Sequence, residues 1–198
     1  MKKKVQLLRG VVFTTILFAA VLSCGGAGGE YTIGGTGPGG GKIFYVSETG
    51  FAVKDKGTYH YLEAAPVDLG KFVWASPQFL PPPEGTGDWL SILDTKETAI
   101  GMGYANTAAI RAADPNANPA KGCVDYRGGG KNDWFLPSKD ELNQMYKEKA
   151  HIDKTANDEY WSSSEYDSSV AVSQNFTTGP QYNSKKDKPC YVRPIRAF

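Results

Sequence analysis

Ten of the eighteen residues from 25 to 42 (GGAGGEYTIGGTGPGGGK) are glycine. Glycine at that density has no side chains to bury and loses the most backbone freedom on ordering. The run therefore reads as a flexible tether, and a packed domain must be built from the residues C-terminal to it. Its last part, from Thr36 to Lys42, leaves open a turn that leads into a first strand. It is not a phosphate loop, which needs glycine, four residues and then Gly-Lys-Ser/Thr. Here Gly41-Lys42 is followed by Ile43, and the position five before Gly41 is Thr36.

Upstream of the glycines, Lys2, Lys3, Lys4 and Arg9 precede a 13-residue run from 10 to 22 that is almost entirely apolar. That is the pattern of a secretory signal, and the run falls short of the roughly 20 residues a bilayer span takes. It ends in Val21-Leu22-Ser23-Cys24-Gly25, which is similar to the lipobox of bacterial lipoproteins, with Leu22 where a small residue is usual. The expected organisation is a signal peptide over 1–23, a glycine-rich tether over 24–36 beginning at a lipidated Cys24, and one domain over 37–198. Gly25 after the lipidated cysteine, rather than Asp, points to the outer membrane or cell surface by the usual sorting rule.

Removing the four N-terminal basic residues takes the formal charge from +1 to −3. So even a balance gives no electrostatic footprint for nucleic acid. Two histidines and three cysteines are too few for a Cys/His zinc cluster. With Cys24 consumed by lipid, Cys123 and Cys190 remain. An even pair in an oxidising compartment reads as one disulfide, worth on the order of 4 kcal/mol across so long a loop. Two buried free thiols are the alternative.

The rest of the chain reads as strands, irregular loops, two helices and strands again. Residues 43–46 (IFYV) and 59–64 (YHYLEA) are strand-like and pair across the 47–58 loop. From 66 to 94 the chain is irregular, yet Trp74, Phe79 and Trp89 imply loops packed down on a core. Helices are expected at 104–113 and 139–149. In the second, Ser138 and Glu141 form a capping box, and Leu142, Met145 and Tyr146 share a face. Further strand-like stretches lie at 160–161, 170–177 and 190–196, the last containing Pro194, which fits only an edge or a bulge. The order is α+β, without the βαβ rhythm of a parallel sheet.

Seven blocks together resemble a known family. They are GPGGGKIFYV (37–46), YLEAAP (61–66), ANTAAI (105–110), DWFLPSKDELN (133–143), YWSSSEY (160–166), QNF (174–176) and YVRPIRAF (191–198). They look like the bacterial Lcl C-terminal domain family. That resemblance implies a C-type-lectin-like α+β fold with two helices, a small, mostly antiparallel twisted sheet and long loops. It also implies a surface or secreted setting, and one relative binds sulfated glycosaminoglycans. A net charge of −3 runs against a polyanionic ligand here.

The candidate residues divide by chemistry. Trp134, Leu136 and Pro137 read as residues that seat a helix on the core. Asn132 and Asp133 alone cannot supply the six to eight oxygens that calcium takes, so no metal site is assigned. In 160–166 the serines suit either sugar hydroxyls or backbone groups in a sheet corner, and the second is favoured. Residues 181–188 (QYNSKKDK) read as an exposed hairpin tip able to face a ligand. The candidate ligand-binding set is Tyr166, Gln181, Tyr182, Asn183 and Lys185. Neither His60 nor His151 has a nucleophile motif nearby, and Asp140 and Glu141 point to different helix faces, so no catalytic residue and no cofactor is assigned. The expected role is non-catalytic recognition of a carbohydrate or of a host or envelope protein. A structural envelope lipoprotein that binds another envelope component or itself is the alternative.

Overall fold

The structure, a computed structural model, describes residues 31–80 and 97–198. The signal peptide and Cys24 lie outside the described residues. Among these residues the chain is mixed α+β, with three helices and two sheets.

Strands β1 (Lys42–Val53) and β2 (Gly57–Ala64) form an antiparallel hairpin. β1 runs well past the 43–46 stretch read from the sequence. Its polar middle, Ser47-Glu48-Thr49-Gly50, falls where the register shifts between Val46 and Phe51, so no alternating apolar pattern marks it. Lys54, Asp55 and Lys56 make the turn, with Asp55 at φ 65°. β3 (Gly70–Phe72) lies within the stretch read as irregular. The described part of that stretch, 66–80, folds down as expected, with Trp74 buried and its indole N–H donating to Ser162 O at 2.8 Å, while Trp89 lies outside the described residues.

Helix α1 spans Gly103–Ala113 and α3 spans Lys139–Lys147. The α3 capping box is formed: Glu141 N donates to Ser138 Oγ at 3.3 Å and Ser138 N to Glu141 Oε2 at 2.7 Å. Between them lies α2 (Asn118–Asp125), a helix not expected from the sequence. Asn, Pro and Gly among its eight residues hide it from propensity, and the burial of Pro119, Ala120 and Cys123 against the core sustains it.

The C-terminal part supplies β4 (Glu159–Glu165), β5 (Val170–Asn175), β6 (Gln181–Lys185), β7 (Cys190–Val192) and β8 (Ile195–Ala197). Two sheets result where one small sheet was expected: β1-β2-β8, and β3-β7-β4-β5-β6. All pairings are antiparallel except β4 with β7, where Tyr160 lies opposite Tyr191. Residues 190–196 are two strands and not one. Pro194 has no N–H to continue a ladder, so the chain leaves one sheet at Val192 and enters the other at Ile195.

Two apolar clusters fill the interior. One joins Phe44, Leu62, Phe135, Leu142, Met145, Phe176 and Ile195, and the other joins Trp74, Ile110, Leu136, Trp161 and Val192. The expected disulfide is not formed: Cys123 and Cys190 are free and buried, both within the second cluster. There they serve as small apolar side chains. Burial raises the Cys123 thiol well above its usual value and pushes Cys190 to about 12, with Glu159 adding to the second shift.

The glycine-rich run does not end as a loose tether. Tyr31 packs edge-on against Tyr61 and Phe198, and Gly34 N donates to Ile43 O at 2.8 Å. The boundary placed at residue 37 therefore falls inside a packed loop. Gly39 N and Gly41 N both donate to the buried Glu63 carboxylate, at 2.9 and 3.0 Å, and Arg196 Nη1 reaches the same group at 2.9 Å. The Gly-Pro-Gly-Gly-Gly stretch is thus an anion cradle for one of the protein's own side chains.

Candidate functional site

The five-stranded sheet ends in β6, and the residues on the two faces of that edge strand have different environments. Alternation puts Gln181, Asn183 and Lys185 on one face and Tyr182 and Ser184 on the other. Ser184 is buried and shares a hydrogen bond with Ser173 at 2.8 Å. Gln181 is committed as well. Its amide donates to Lys139 O at 2.9 Å and to Gln174 Oε1 at 3.2 Å, pinning the start of α3 to the sheet.

That tie creates a cleft. Lys139 at the α3 N-terminus, Asn183 and Val172 on adjacent strands, Glu165 and Tyr166 at the end of β4, and Thr98 line an open cavity of about 660 Å³. The size lies within the range of small-ligand sites. Tyr166 is 58% exposed, and its backbone is fixed by a tight turn. Tyr166 N donates to Val170 O at 3.1 Å, while Asp167 Oδ1 accepts from Ser169 N, Ser169 Oγ and Val170 N at 2.7–2.9 Å. Partial burial raises the Asp167 carboxyl, but these hydrogen bonds outweigh it and hold the group below its ordinary value. The backbone that carries the ring is thus held by a hydrogen-bonded turn.

Tyr166 and Asn183, two of the five candidates, therefore meet in one cleft. Gln181 shares the face but holds the scaffold together. Tyr182, 45% exposed, and Lys185 lie on the edge strand and do not line the cleft. Lys139 and Thr98 join the site without any local signal, since their place depends on the Gln181 tie and on the fold.

The 181–188 stretch is not the solvated tip expected from its three lysines. Lys186 is fully buried, ion-paired with Glu165, donating to Ser168 O at 2.9 Å and lying 4.9 Å from the Trp74 ring centre. Burial draws it below the usual lysine value, against the pull of Glu165. Lys188 pairs with Glu159 at 2.6 Å.

The serines of β4 act on the backbone. Ser162 Oγ donates to Val172 O at 2.7 Å, Ser163 Oγ to Pro137 O at 3.1 Å and Ser164 Oγ to Glu97 O at 2.9 Å. Trp161 is buried, with its N–H on Phe72 O at 2.8 Å. His60 is exposed, with Nδ1 2.9 Å from Ser47 O, and His151 is exposed beside Glu148 at 3.9 Å. Among the described residues no group of three or more His, Cys, Asp or Glu side chains is placed to hold a metal ion.

The model of the family described as the Lcl C-terminal domain matches residues 88–196, more than half of the chain. No curated protein matches it.

Proposed function

The chain belongs to the Lcl C-terminal domain family, and from that premise we propose that it is a cell-envelope lipoprotein carrying a non-catalytic, adhesin-like recognition domain. Its ligand is a carbohydrate or a host or surface protein. The lipid on Cys24 holds it at the outer membrane or cell surface. We read the α+β arrangement, with its long loops, as C-type-lectin-like.

One observation carries the reading: the open cleft of about 660 Å³ whose lining includes the exposed Tyr166 together with Asn183 and Lys139. An aromatic face accepts the apolar face of a sugar ring or an apolar side chain. An amide and a cation beside it orient hydroxyls or carbonyls by hydrogen bonds. Among the described residues of the cleft there is no nucleophile–base pair, and we read the site as one for binding without turnover.

A glycan and host-matrix array probed with the purified protein tests this. Saturable binding that falls about tenfold or more in Tyr166→Ala and Asn183→Ala, with Tyr182→Ala near neutral, is expected. Silence across the array at high protein concentration overturns it. The alternative, a structural lipoprotein that self-associates, rests on the β6 edge and its exposed Tyr182, because an open strand edge is a template for pairing. Concentration-dependent dimerisation lost in a Tyr182→Lys variant would favour that reading.

A further inference from the structure

A second cavity, of about 590 Å³, lies away from the Tyr166 cleft and shares no lining residue with it. It runs between α1, the β1–β2 turn and the segment leading into Phe135. Lys56, Tyr104, Arg111, Asn132, Asp133 and Phe135 are in its wall. A narrower recess continues it past Lys56, Tyr104 and Phe135 toward Val53.

Arg111 sets this cavity apart. Among the described residues its Nη1 is the one buried side-chain nitrogen or oxygen without a hydrogen-bond partner, and the residue forms no ion pair. Arg111 is partly buried, and the more deeply buried cations among the described residues are all compensated. Arg193 is met by Asp68 and three carbonyls, Arg196 by Asp133 and Glu63, and Lys186 by Glu165. The carboxylates near Arg111 are spoken for: Asp133 is held by Arg196 through both oxygens, at 2.6 and 2.9 Å, and Asp125 by Lys121. A buried guanidinium N–H without an acceptor is costly, and proteins keep such groups where something else supplies the acceptor. Lys56 adds a second cation on the same wall, its Nζ 4.5 Å from the Tyr104 ring centre. Tyr104 in turn meets Phe135 edge-to-face at 5.9 Å, giving the cavity an aromatic floor.

We propose that this cavity is a binding site for a small organic carboxylate. The acid group pairs with Arg111 Nη1 and Lys56 Nζ, and the apolar body lies on Tyr104 and Phe135. The planar guanidinium suits a carboxylate, the aromatic pair favours an organic body over a bare inorganic anion, and the volume suits a small molecule.

Calorimetric titration of the full-length protein with benzoate, phenylacetate and 3-phenylpropionate, each against its neutral amide, tests this. At least one acid binds saturably, its amide binds about tenfold or more weakly, and Arg111→Met removes the difference. Because Met takes away an unpaired buried donor, the ligand-free Arg111→Met protein melts at the same temperature as the parent or higher, so lost binding is not lost folding. Lys56→Ala gives a smaller loss. The proposal is overturned if no acid binds saturably, if acid and amide bind alike, if Arg111→Met keeps the parent affinity, or if inorganic sulfate competes at equal concentration.

Discussion

A methyl group added at Gly41 would stand 2.2 Å from Ala64 O, and one at Gly39 would stand 2.6 Å from the Trp134 ring and 2.7 Å from Glu63 Oε1. The glycines are there because backbone must come within hydrogen-bond reach of a buried carboxylate. Gly40, between them, has φ 77° and open space around its added Cβ. The three positions therefore respond differently. Gly41→Ala should cost about 3 kcal/mol or more, because the obstacle is backbone, whereas Gly40→Ala should cost about 1 kcal/mol for its positive φ alone. Denaturant unfolding of the two variants checks this, and equal costs would contradict it. At this scale the sequence was misleading. Composition showed glycine's freedom but not the Glu63 charge it serves, which lies more than twenty residues away on β2.

Helix α3 was the most legible element, since the capping box, the acidic first turn and the apolar face are all local. What the sequence could not show is how deeply its cap is buried. Glu141 is fully buried; burial pushes its carboxyl up to about 7, although N–H donors of Ser138, Gly101 and Gly103 pull the other way. A carboxyl raised in the fold above its unfolded value near 4.5 favours the folded state while protonated. Its contribution is complete below that value and is lost as pH rises through about 7, on the order of 3 kcal/mol in all. The unfolding midpoint should therefore fall between about pH 5 and about pH 8, and Glu141→Gln, which cannot ionise, should lack that decline. A midpoint that falls as steeply in Glu141→Gln would remove Glu141 as the cause. Helix α2 is the opposite case, a poor helix former sustained by burial of one face. The 181–188 stretch shows the same limit: three lysines signal solvent, yet Lys186 finds Glu165 across the sheet and is buried.

Over the whole molecule, the class and the coarse order of strands, then helices, then strands were readable, because they rest on local patterning. The number of sheets was not, because β7 and β8 are consecutive in sequence and part company at Pro194. The thiols belong to this scale too, since compartment argued for a bridge and packing leaves both free. In the folded protein Cys123 and Cys190 should resist iodoacetamide and become labelled once the chain is unfolded without reductant, as peptide mapping will show. A need for reductant would establish a disulfide. The family blocks divide in a telling way. Trp134, Trp161, Arg193 and Arg196 are framework, whereas the Tyr166 cleft and the Arg111 cavity join block residues, such as Lys139, Tyr166 and Phe135, to residues outside the blocks, such as Asn183, Lys56 and Arg111. The family blocks thus cover the frame and part of each cavity wall.

The stretch that changes sheets couples the two sheets to one another. Residues 190–197 give β7 to one sheet and β8 to the other, while Arg193 and Arg196 clamp Asp68, Asp133 and Glu63, and Phe198 stacks on Tyr61. Without this stretch β3 would lose its strand partner, and β1 and β2 would be left as a two-stranded hairpin, a unit marginal on its own in water. One short segment is therefore the shared seam of both sheets, and loosening it at either end loosens both.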